Sequence, residues 1–232
     1  MASKRQVLRA DVQEGIQNRL VQGNWRPGSR LSIDGLAREL DVSPTPVREA
    51  LVALERSGLI EYKALKGFVV APPLSAEQMD ELIDARLILE TAAFTRAFAE
   101  WEGLLEDLRA AHAAHTAIGD RIAAAGEPDY ALLHEYFDAD AAFHEALFKH
   151  AGNHYLGSMR EVLNTHGHRM RQTWSEGPEQ IDAAEAIVEH EAILARVAEH
   201  NHDGALEALR RHLEGVRERS GAMAGGAEGA DG

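Results

Sequence analysis

The feature that most constrains this chain is a pair of short amphipathic helices joined by only two residues. Ser32 is placed to cap the first helix, and Asp41 and Val42 form the whole connection to the second. Ser43 caps that second helix, which has Pro44 at its first position, where a missing amide hydrogen costs nothing. Two helices joined so tightly predict a helix-turn-helix, whose second helix fits a DNA major groove about 12 Å wide.

The segments on either side of this pair predict one more helix and a β-hairpin. Apolar residues recur at every fourth position from Leu8 to Leu20, which predicts an amphipathic helix. Two β-type runs, at residues 59–62 and 68–70, bracket a short turn that includes a glycine. Three helices followed by a hairpin predict a winged helix. By periodicity alone, such a unit is either a DNA reader or a protein-interaction module.

Charge is divided unevenly along the chain. The 232 residues carry a net charge of -14, which taken whole argues against a nucleic-acid partner, because DNA binding depends on cations that neutralise phosphates. Residues 1–73, however, hold 11 basic and 8 acidic residues, whereas residues 74–232 hold 13 basic and 30 acidic ones. We therefore predict a DNA-binding domain at 1–73, a second domain at 74–220 and a disordered Gly- and Ala-rich tail at 221–232.

The second domain has the pattern of an all-α bundle. Turn-forming residues interrupt it at intervals, six helices fit between the breaks, and strand-type alternation is essentially absent after residue 74. The apolar stripes of these helices are narrow and require packing against neighbours. We expect an antiparallel bundle, so the chain as a whole is predicted to be mainly α.

The absence of cysteine excludes disulfides, thiolate zinc sites, iron–sulfur clusters and thiol nucleophiles. Any bound metal must therefore be held by histidine and carboxylate side chains. No apolar run approaches the roughly 20 residues of a membrane helix, and no secretory signal is visible. We expect a cytoplasmic protein with no membrane partner.

Four residues of the second domain match a metal-binding pattern. Asp140 and His144 are four residues apart on one predicted helix and therefore point the same way, and His190 and His212 lie on later helices. Three imidazoles and one carboxylate suit Zn best, with Ni, Mn or Fe as alternatives. Histidines are also common on solvated helix faces. The pairs that we predict to face solvent are His112 with His115 and His150 with His154.

The first domain also carries a specific run of residues. The run is Val42-Ser43-Pro44-Thr45-Pro46-Val47-Arg48-Glu49-Ala50-Leu51, preceded by Pro27-Gly28-Ser29-Arg30-Leu31-Ser32 and Leu36-Ala37. Over residues 8–72 this pattern resembles the GntR-type winged-helix repressors. The residues that the resemblance assigns to DNA are Arg30, Arg38, Ser43, Thr45, Arg48, Lys66 and Gly67. Many relatives carry Arg at the position of Pro44, so one base contact of the family is missing here.

The second domain carries matches of its own. They are Asp140-x-x-x-His144 followed by Gly152-Asn153, then Glu189-His190-x-Ala192-Ile193-Leu194, and finally Arg210-Arg211-His212-Leu213. Over residues 76–218 the pattern resembles the FadR-like C-terminal ligand-binding domain (FCD). The resemblance implies that the four residues of the metal pattern hold a divalent ion beside a pocket for a small carboxylate effector.

Effector contacts are less sharply indicated by this resemblance. Arg86 either clamps the effector carboxylate bidentately or forms a surface i,i+4 pair with Glu90. Weaker pocket candidates lie on the fourth predicted helix. They are Asn164, His168, Arg169 and Arg171.

Together these patterns predict a homodimeric, ligand-responsive transcription regulator, a repressor, that binds palindromic operator DNA and a small organic acid. A two-fold dimer reads two half-sites and so multiplies its contacts. The competing hypothesis is a metal-dependent all-α enzyme or metal-binding bundle with an accessory N-terminal module. The sequence lacks the motifs of such enzymes. Phe148 and Leu194 occupy the positions where zincins need histidine, and no phosphate loop or nucleophile elbow is present. We therefore predict no catalysis.

Overall fold

Three helices and a two-stranded antiparallel sheet form the N-terminal domain of the computed structural model, which describes residues 4–21, 24–56, 58–125, 130–163 and 183–227. The helices are α1 (Lys4–Val21), α2 (Ile33–Glu39) and α3 (Pro44–Arg56), and the strands are β1 (Ile60–Lys63) and β2 (Gly67–Val70). This order of elements confirms the predicted winged helix.

The tight connection between α2 and α3 depends on local backbone chemistry. The Ser32 hydroxyl accepts a hydrogen bond from the Gly35 amide at 3.1 Å, which opens α2, and Leu40 forms its C-cap. Asp41 then adopts a left-handed conformation with φ of 53°, which aspartate tolerates better than most residues do. The chain is thereby redirected so that α3 begins at Pro44.

A short extended segment before α2 adds to the sheet. The Gly28 amide donates to the Val70 carbonyl, and the Leu31 amide donates to the Phe68 carbonyl, both at 2.9 Å. The sequence pattern predicts no strand here, because so short a segment carries no alternation. The pairing places Arg30 opposite Val69 of β2, next to the wing.

Six α-helices and one 3-10 turn make up the described part of the second domain. They are α4 (Ala76–Ala97), the 3-10 turn Phe98–Glu100, α5 (Trp101–Ala125), α6 (Tyr130–His150), α7 (His154–Leu163), α8 (Ala183–Ala198) and α9 (His202–Ala227). A capping box opens α4, in which the Ser75 hydroxyl accepts from the Gln78 amide at 3.2 Å. The mainly α fold is as predicted. None of the described helices has the length and apolarity that a membrane span requires.

Five of these helices form a closed ring. α4 packs against α6, α6 against α5, α5 against α8, α8 against α9, and α9 against α4, while α7 contacts α4 and α6. A closed ring turns one face of each helix toward a common centre. Side chains from five helices can therefore meet at one point.

Apolar side chains form two clusters, one at each end of this ring. In the first, Ile16 and Leu20 of α1 share a core with Leu133 and Phe137 of α6. The second lies within the bundle and includes Phe94. The first cluster crosses from the winged helix to the bundle, so the two units bury apolar surface against each other. Each such buried side chain contributes roughly 1.5–3 kcal/mol of transfer free energy.

The last helix is longer than the sequence predicts. α9 continues to Ala227, into the segment 221–232 that is predicted to be disordered. Extending an existing helix adds one hydrogen bond for each residue fixed, without a new nucleation step, and alanine is the best helix former. Residues 228–232 lie outside the described ranges.

Candidate functional site

The first candidate site is the face formed by α3, the segment before α2 and the wing. Arg30, Pro44, Arg48, Tyr62 and Gly67 line a cleft between α3 and the hairpin. The predicted DNA contacts that are exposed are Arg30, Arg38, Ser43, Thr45, Arg48 and Lys66, while Gly67 is partly buried. The fold therefore brings two predicted arginines and the wing glycine to one cleft.

The cations of this face are left unneutralised. Within the described part of the N-terminal domain, the ion pairs involve Arg19 and Lys63. The guanidinium groups of Arg30, Arg38 and Arg48 belong to none of these pairs. Free cations beside the N-terminus of a helix suit the phosphates of a nucleic acid.

The second candidate site is a buried polar cluster at the centre of the five-helix ring. All buried polar or charged residues of the described ranges belong to it: Arg86 and Glu90 on α4, His115 on α5, Asp140 and His144 on α6, His190 on α8 and His212 on α9. Every helix of the ring contributes at least one. Burying polar groups costs free energy unless they are paired or bind a ligand, so each member of this centre needs a polar partner or a ligand.

Two histidines of the cluster face each other through their ε nitrogens. Nε2 of His144 lies 3.3 Å from Nε2 of His212. Nδ1 of His144 lies 2.7 Å from Glu90, and Nδ1 of His212 lies 2.8 Å from Glu189. Since a carboxylate accepts, each Nδ1 donates its proton, and each Nε2 turns a lone pair toward the other. Facing lone pairs repel; Nη2 of Arg86, 3.2 Å from Nε2 of His144, offers one compensating N–H, and a shared proton or a metal ion between the two nitrogens would offer further compensation.

Burial and neighbouring charge shift the pKa values of Glu90, Glu189 and His212. Burial alone would raise the pKa of Glu90, but the Arg86 guanidinium and His144 lower that pKa to about 2. Burial likewise opposes ionisation of Glu189, but hydrogen bonds from His212 and Arg219 lower the pKa of Glu189 to about 2. Burial lowers the pKa of His212. Carboxylates that accept from the Nδ1 atoms of imidazoles are the arrangement found around metal ions.

His190 is held in place by stacking, with its ring nitrogens unused. Its ring stacks on Phe143, with centroids 4.0 Å apart and an interplanar angle of 5°. It is fully buried, and among the described residues neither Nδ1 nor Nε2 has a hydrogen-bond partner. Burial lowers its pKa well below the ordinary value. Nε2 lies 3.8 Å from Oδ1 of Asp140, which suits a position where both residues bind one ligand.

The four predicted metal ligands fall into two overlapping groups. His144, His190 and His212 have donor atoms within 4.8 Å of one another, and so do His115, Asp140 and His190. The prediction that His115 faces solvent is therefore wrong, because α5 turns it into the ring, where it has no exposed surface. One signal points to it in the sequence, namely its place seven residues after the buried Leu108 on the apolar stripe of α5.

The other histidines with a predicted solvent-facing position differ from one another. His154 is exposed. His112 and His150 are partly buried, where they lie 2.7 Å from Glu191 and Asp107 respectively. Neighbouring helices cover these two rings, which local spacing does not reveal.

Arg86 lies beside the histidines and not on the surface. Its Nε donates to Oε1 of Glu90 at 2.6 Å, and its Nη2 lies 3.2 Å from Nε2 of His144. Of the two alternatives for Arg86, the i,i+4 pair with Glu90 is present but lies inside the bundle and not on the surface, because α4 turns this face into the ring. Arginine carries five N–H donors, so these contacts leave capacity for an anion. The predicted pocket residues Asn164, His168, Arg169 and Arg171 lie outside the described residues.

A winged helix with a cationic cleft, joined to a helical domain with a buried polar cluster, defines a class of transcription regulator. Residues 8–70 match the model of the bacterial regulatory proteins of the gntR family, and residues 81–215 match the model of the FCD domain. The chain belongs to the GntR family of transcription regulators and carries an FCD domain. The family consists of regulators and not enzymes, so the competing enzyme hypothesis is not supported.

Several known proteins are similar over most of this chain. The HTH-type transcriptional repressor GlaR of Escherichia coli (strain K12) is 28% identical, over 85% of this chain and 89% of its own length. The HTH-type transcriptional regulator LutR of Bacillus subtilis (strain 168) is 32% identical, over 84% of this chain and 93% of its own. A GntR transcriptional regulator of Rhodococcus sp. RHA1 shares the fold, with a TM-score of 0.68 at 23% identity, covering 91% of this chain and 96% of that structure.

Proposed function

We propose that this protein is a homodimeric repressor whose binding to operator DNA responds to a small carboxylate effector, held beside a divalent metal ion. The observation that carries the proposal is the pair of facing ε nitrogens of His144 and His212, each with its δ nitrogen on a carboxylate. Asp140 and His190 complete the ligand set. The similarity to GlaR, which is named a repressor, supports the direction of control.

The spacing of the two facing nitrogens suits a metal ion. Two ligands at 2.0–2.1 Å from a tetrahedral Zn²⁺ are about 3.3–3.4 Å apart, and the two Nε2 atoms of His144 and His212 are 3.3 Å apart. Carboxylates on the far nitrogens orient such imidazoles and raise their basicity. When bound, the ion supplies positions for effector oxygens. Zn suits this donor set best, with Ni, Mn or Fe as alternatives.

Arg86 is the reason for proposing an anionic effector. Its guanidinium contacts Glu90 at 2.6 Å and the predicted ligand His144 at 3.2 Å. A cation beside a metal ion is unfavourable unless negative charge lies between them. A carboxylate fits this role, because its two oxygens can contact the arginine fork and an open metal position together.

The winged helix supplies the DNA contacts of the proposal. Ser43, Thr45 and Arg48 at the start of α3 face the major groove, since hydroxyls at a helix N-terminus suit phosphate and Arg suits the O6/N7 edge of guanine. Arg30 and Arg38 contact the DNA backbone. Lys66 and Gly67 at the wing approach the minor groove. Two copies related by a two-fold axis read the half-sites of a palindrome.

Effector binding reaches the DNA-binding domain through the shared apolar core. Tyr136 and Phe137 of α6 belong to the cluster that contains Ile16 of α1, and they precede Asp140 by one turn of the same helix. A shift of α6 at the metal site therefore moves the surface on which α1 rests. Coupling of about 1–3 kcal/mol between two sites is typical of allosteric proteins.

A gel-shift titration tests the DNA-binding part. A palindromic duplex selected from a random library should form a specific complex that weakens when the effector acid is added. Arg48→Ala should weaken binding by about 1–3 kcal/mol and relax the sequence preference. Arg56→Ala, at the other end of α3, is the matched control and should bind as the wild type does. If no specific protein–DNA complex forms at any salt concentration, the proposal that this protein binds operator DNA is wrong.

Elemental analysis of untagged protein tests the metal-binding part. We expect about one ion per chain and its loss in a protein carrying His144→Ala with His190→Ala. His154→Ala, at an exposed histidine, is the control. Full occupancy of the double variant would show that the ligand set is wrong.

Light scattering on the same samples tests the dimer, which should persist in the wild type, the double variant and His154→Ala.

A further inference from the structure

His115 belongs to the central cluster but has no part in the predicted four-residue ligand set. Its donor atom lies within 4.8 Å of those of Asp140 and His190. Its ring has no exposed surface and lies near Tyr136, at a centroid distance of 4.5 Å, and near His190, at 5.1 Å. The residue is therefore built into the wall of the candidate metal site.

An apolar residue would fill this position of α5 more simply. Leu104 and Leu108 precede His115 on the same face of the helix and are fully buried. A leucine or phenylalanine would continue that stripe without removing two ring nitrogens from water. Polar neighbours offset the burial cost of the imidazole, and a carboxylate oxygen of Asp140 and a ring nitrogen of His190 are among those within 4.8 Å of it.

The packing of α5 against α8 sets the position of this imidazole. One turn after His115, a β-carbon added at Gly119 would lie 2.4 Å from Cδ1 of Ile187, so the missing side chain leaves room for that isoleucine. Ile187 lies on α8, three residues before His190. The close approach of the two helices thus brings His115 to the side of the ring that carries His190.

We propose that His115 is a fifth protein ligand of the metal centre, which rests on the metal site of the proposed function. His190 is common to both donor groups, and neither of its nitrogens has a hydrogen-bond partner among the described residues. Opposite ligands of an octahedral ion with bonds of about 2.1 Å are about 4.2 Å apart, which is within the 4.8 Å span of each group. Side-chain rotations that bring these donor atoms closer together would join the two groups at one ion.

This assignment changes the expected metal. Four imidazole nitrogens and one carboxylate oxygen leave one position of an octahedral ion, and an effector oxygen can fill it. A tetrahedral ion such as Zn²⁺ has no place for a fifth protein donor. The centre is therefore selective for six-coordinate ions of the Ni²⁺, Co²⁺ or Fe²⁺ type, and His115 is the residue that makes it so.

Titration of metal-free, full-length protein with Co²⁺ tests this inference, because four-coordinate Co²⁺ absorbs visible light far more strongly than six-coordinate Co²⁺ does. Wild-type protein should bind one Co²⁺ per chain with weak absorption. His115→Phe keeps the ring volume and removes both donors, and it should bind Co²⁺ with stronger absorption. Loss of a residue that only orients a ligand weakens metal binding by about 10–100-fold. Loss of a ligand should cost at least as much, so the Kd of His115→Phe for Co²⁺ should rise by at least that factor.

Two further variants complete the design. His115→Gln should also weaken binding, and thermal unfolding with a chelator present checks that both His115 variants fold. His112→Ala changes a partly buried histidine one turn earlier on α5, which contacts Glu191, and should bind Co²⁺ as the wild type does.

The outcomes separate the inference from the proposed function. Wild-type affinity and spectrum in folded His115→Phe would overturn the fifth ligand while leaving the four-residue site intact. Strong four-coordinate absorption from the wild type, or two ions per chain of which His115→Phe removes one, would overturn it as well. If the wild type binds no Co²⁺, both the metal site and the inference fail.

Discussion

The side-chain amide of Gln17 lies 2.7 Å from Nε2 of His134, a contact that joins α1 of the DNA-binding domain to α6 of the bundle. On its other side, Nδ1 of His134 lies 2.9 Å from Oδ2 of Asp138. Ile16 and Leu133, the residues that precede this pair in sequence, both belong to the shared apolar core. A polar contact and an apolar cluster thus hold the same two helices together.

Stability should depend on pH through His134. Its hydrogen bond to Asp138 raises its pKa, although burial acts in the opposite direction and Glu135 adds a smaller effect. Because the folded-state pKa exceeds the unfolded one, this contribution is fully present below about pH 6.5 and is lost as the pH rises through the raised value. We expect His134→Gln to lower the melting temperature more in acid than in alkali, as measured by circular dichroism.

The exposed His154 provides the control for this pH dependence. His154→Gln should change the melting temperature little at any pH, because the wild-type side chain is solvated in both states. A melting-temperature difference between His134→Gln and the wild type that stays constant from acid to alkali would contradict the assigned role of Asp138.

Glu189 should matter for metal affinity although it is not a ligand. It accepts from Nδ1 of His212 at 2.8 Å and so aims Nε2 at the centre of the ring. Glu189→Gln should weaken Zn²⁺ or Ni²⁺ binding by about 10–100-fold. Glu191→Gln, two residues later on α8 and paired with His112, is the matched control for calorimetric titration. Equal affinities of the two variants would remove Glu189 from the site.

Truncation of the shared core should destabilise the whole chain. Leu133 has no exposed surface, and Leu133→Ala should lower the free energy of unfolding by about 2–5 kcal/mol through lost burial and a residual cavity. Val188 is 69% exposed on α8, and Val188→Ala should change stability by less than about 0.5 kcal/mol. Urea titration measures both. A cost for Leu133→Ala as small as that of the control would mean that this packing is absent in solution.

Backbone conformation at the wing predicts opposite effects for two substitutions. Gly67 has φ of 78°, and a β-carbon there would meet no atom within 4 Å, so Gly67→Ala should cost about 1–2 kcal/mol through backbone strain alone. Leu65 holds a similar conformation, φ 67°, with its side chain fully exposed. Leu65→Gly relieves that strain and should leave stability unchanged or raised. Thermal unfolding measures the melting temperature of both variants. A Gly67→Ala variant that melts at the wild-type temperature would contradict the positive φ of Gly67.

Local patterns account for the winged helix. The two-residue connection, the cap at Ser32 and the proline that opens α3 act within a few residues of one another, so the sequence alone predicts where these helices begin. The pairing of residues 28–31 with β2 was not predictable, because its partners lie about forty residues away and no alternation marks it.

By itself, the sequence determined which segments become helices and hairpin, and it restricted metal ligands to histidine and carboxylate, since both depend on residue type and near neighbours. The spacing of Asp140 and His144 already placed them on one face of a helix. Only the tertiary structure decided that His115 lies beside Asp140 and His190 and that Arg86 is buried, because closing five helices into a ring selects which faces point inward. It likewise decided that the winged helix rests on α6, a contact that no periodicity along the chain records.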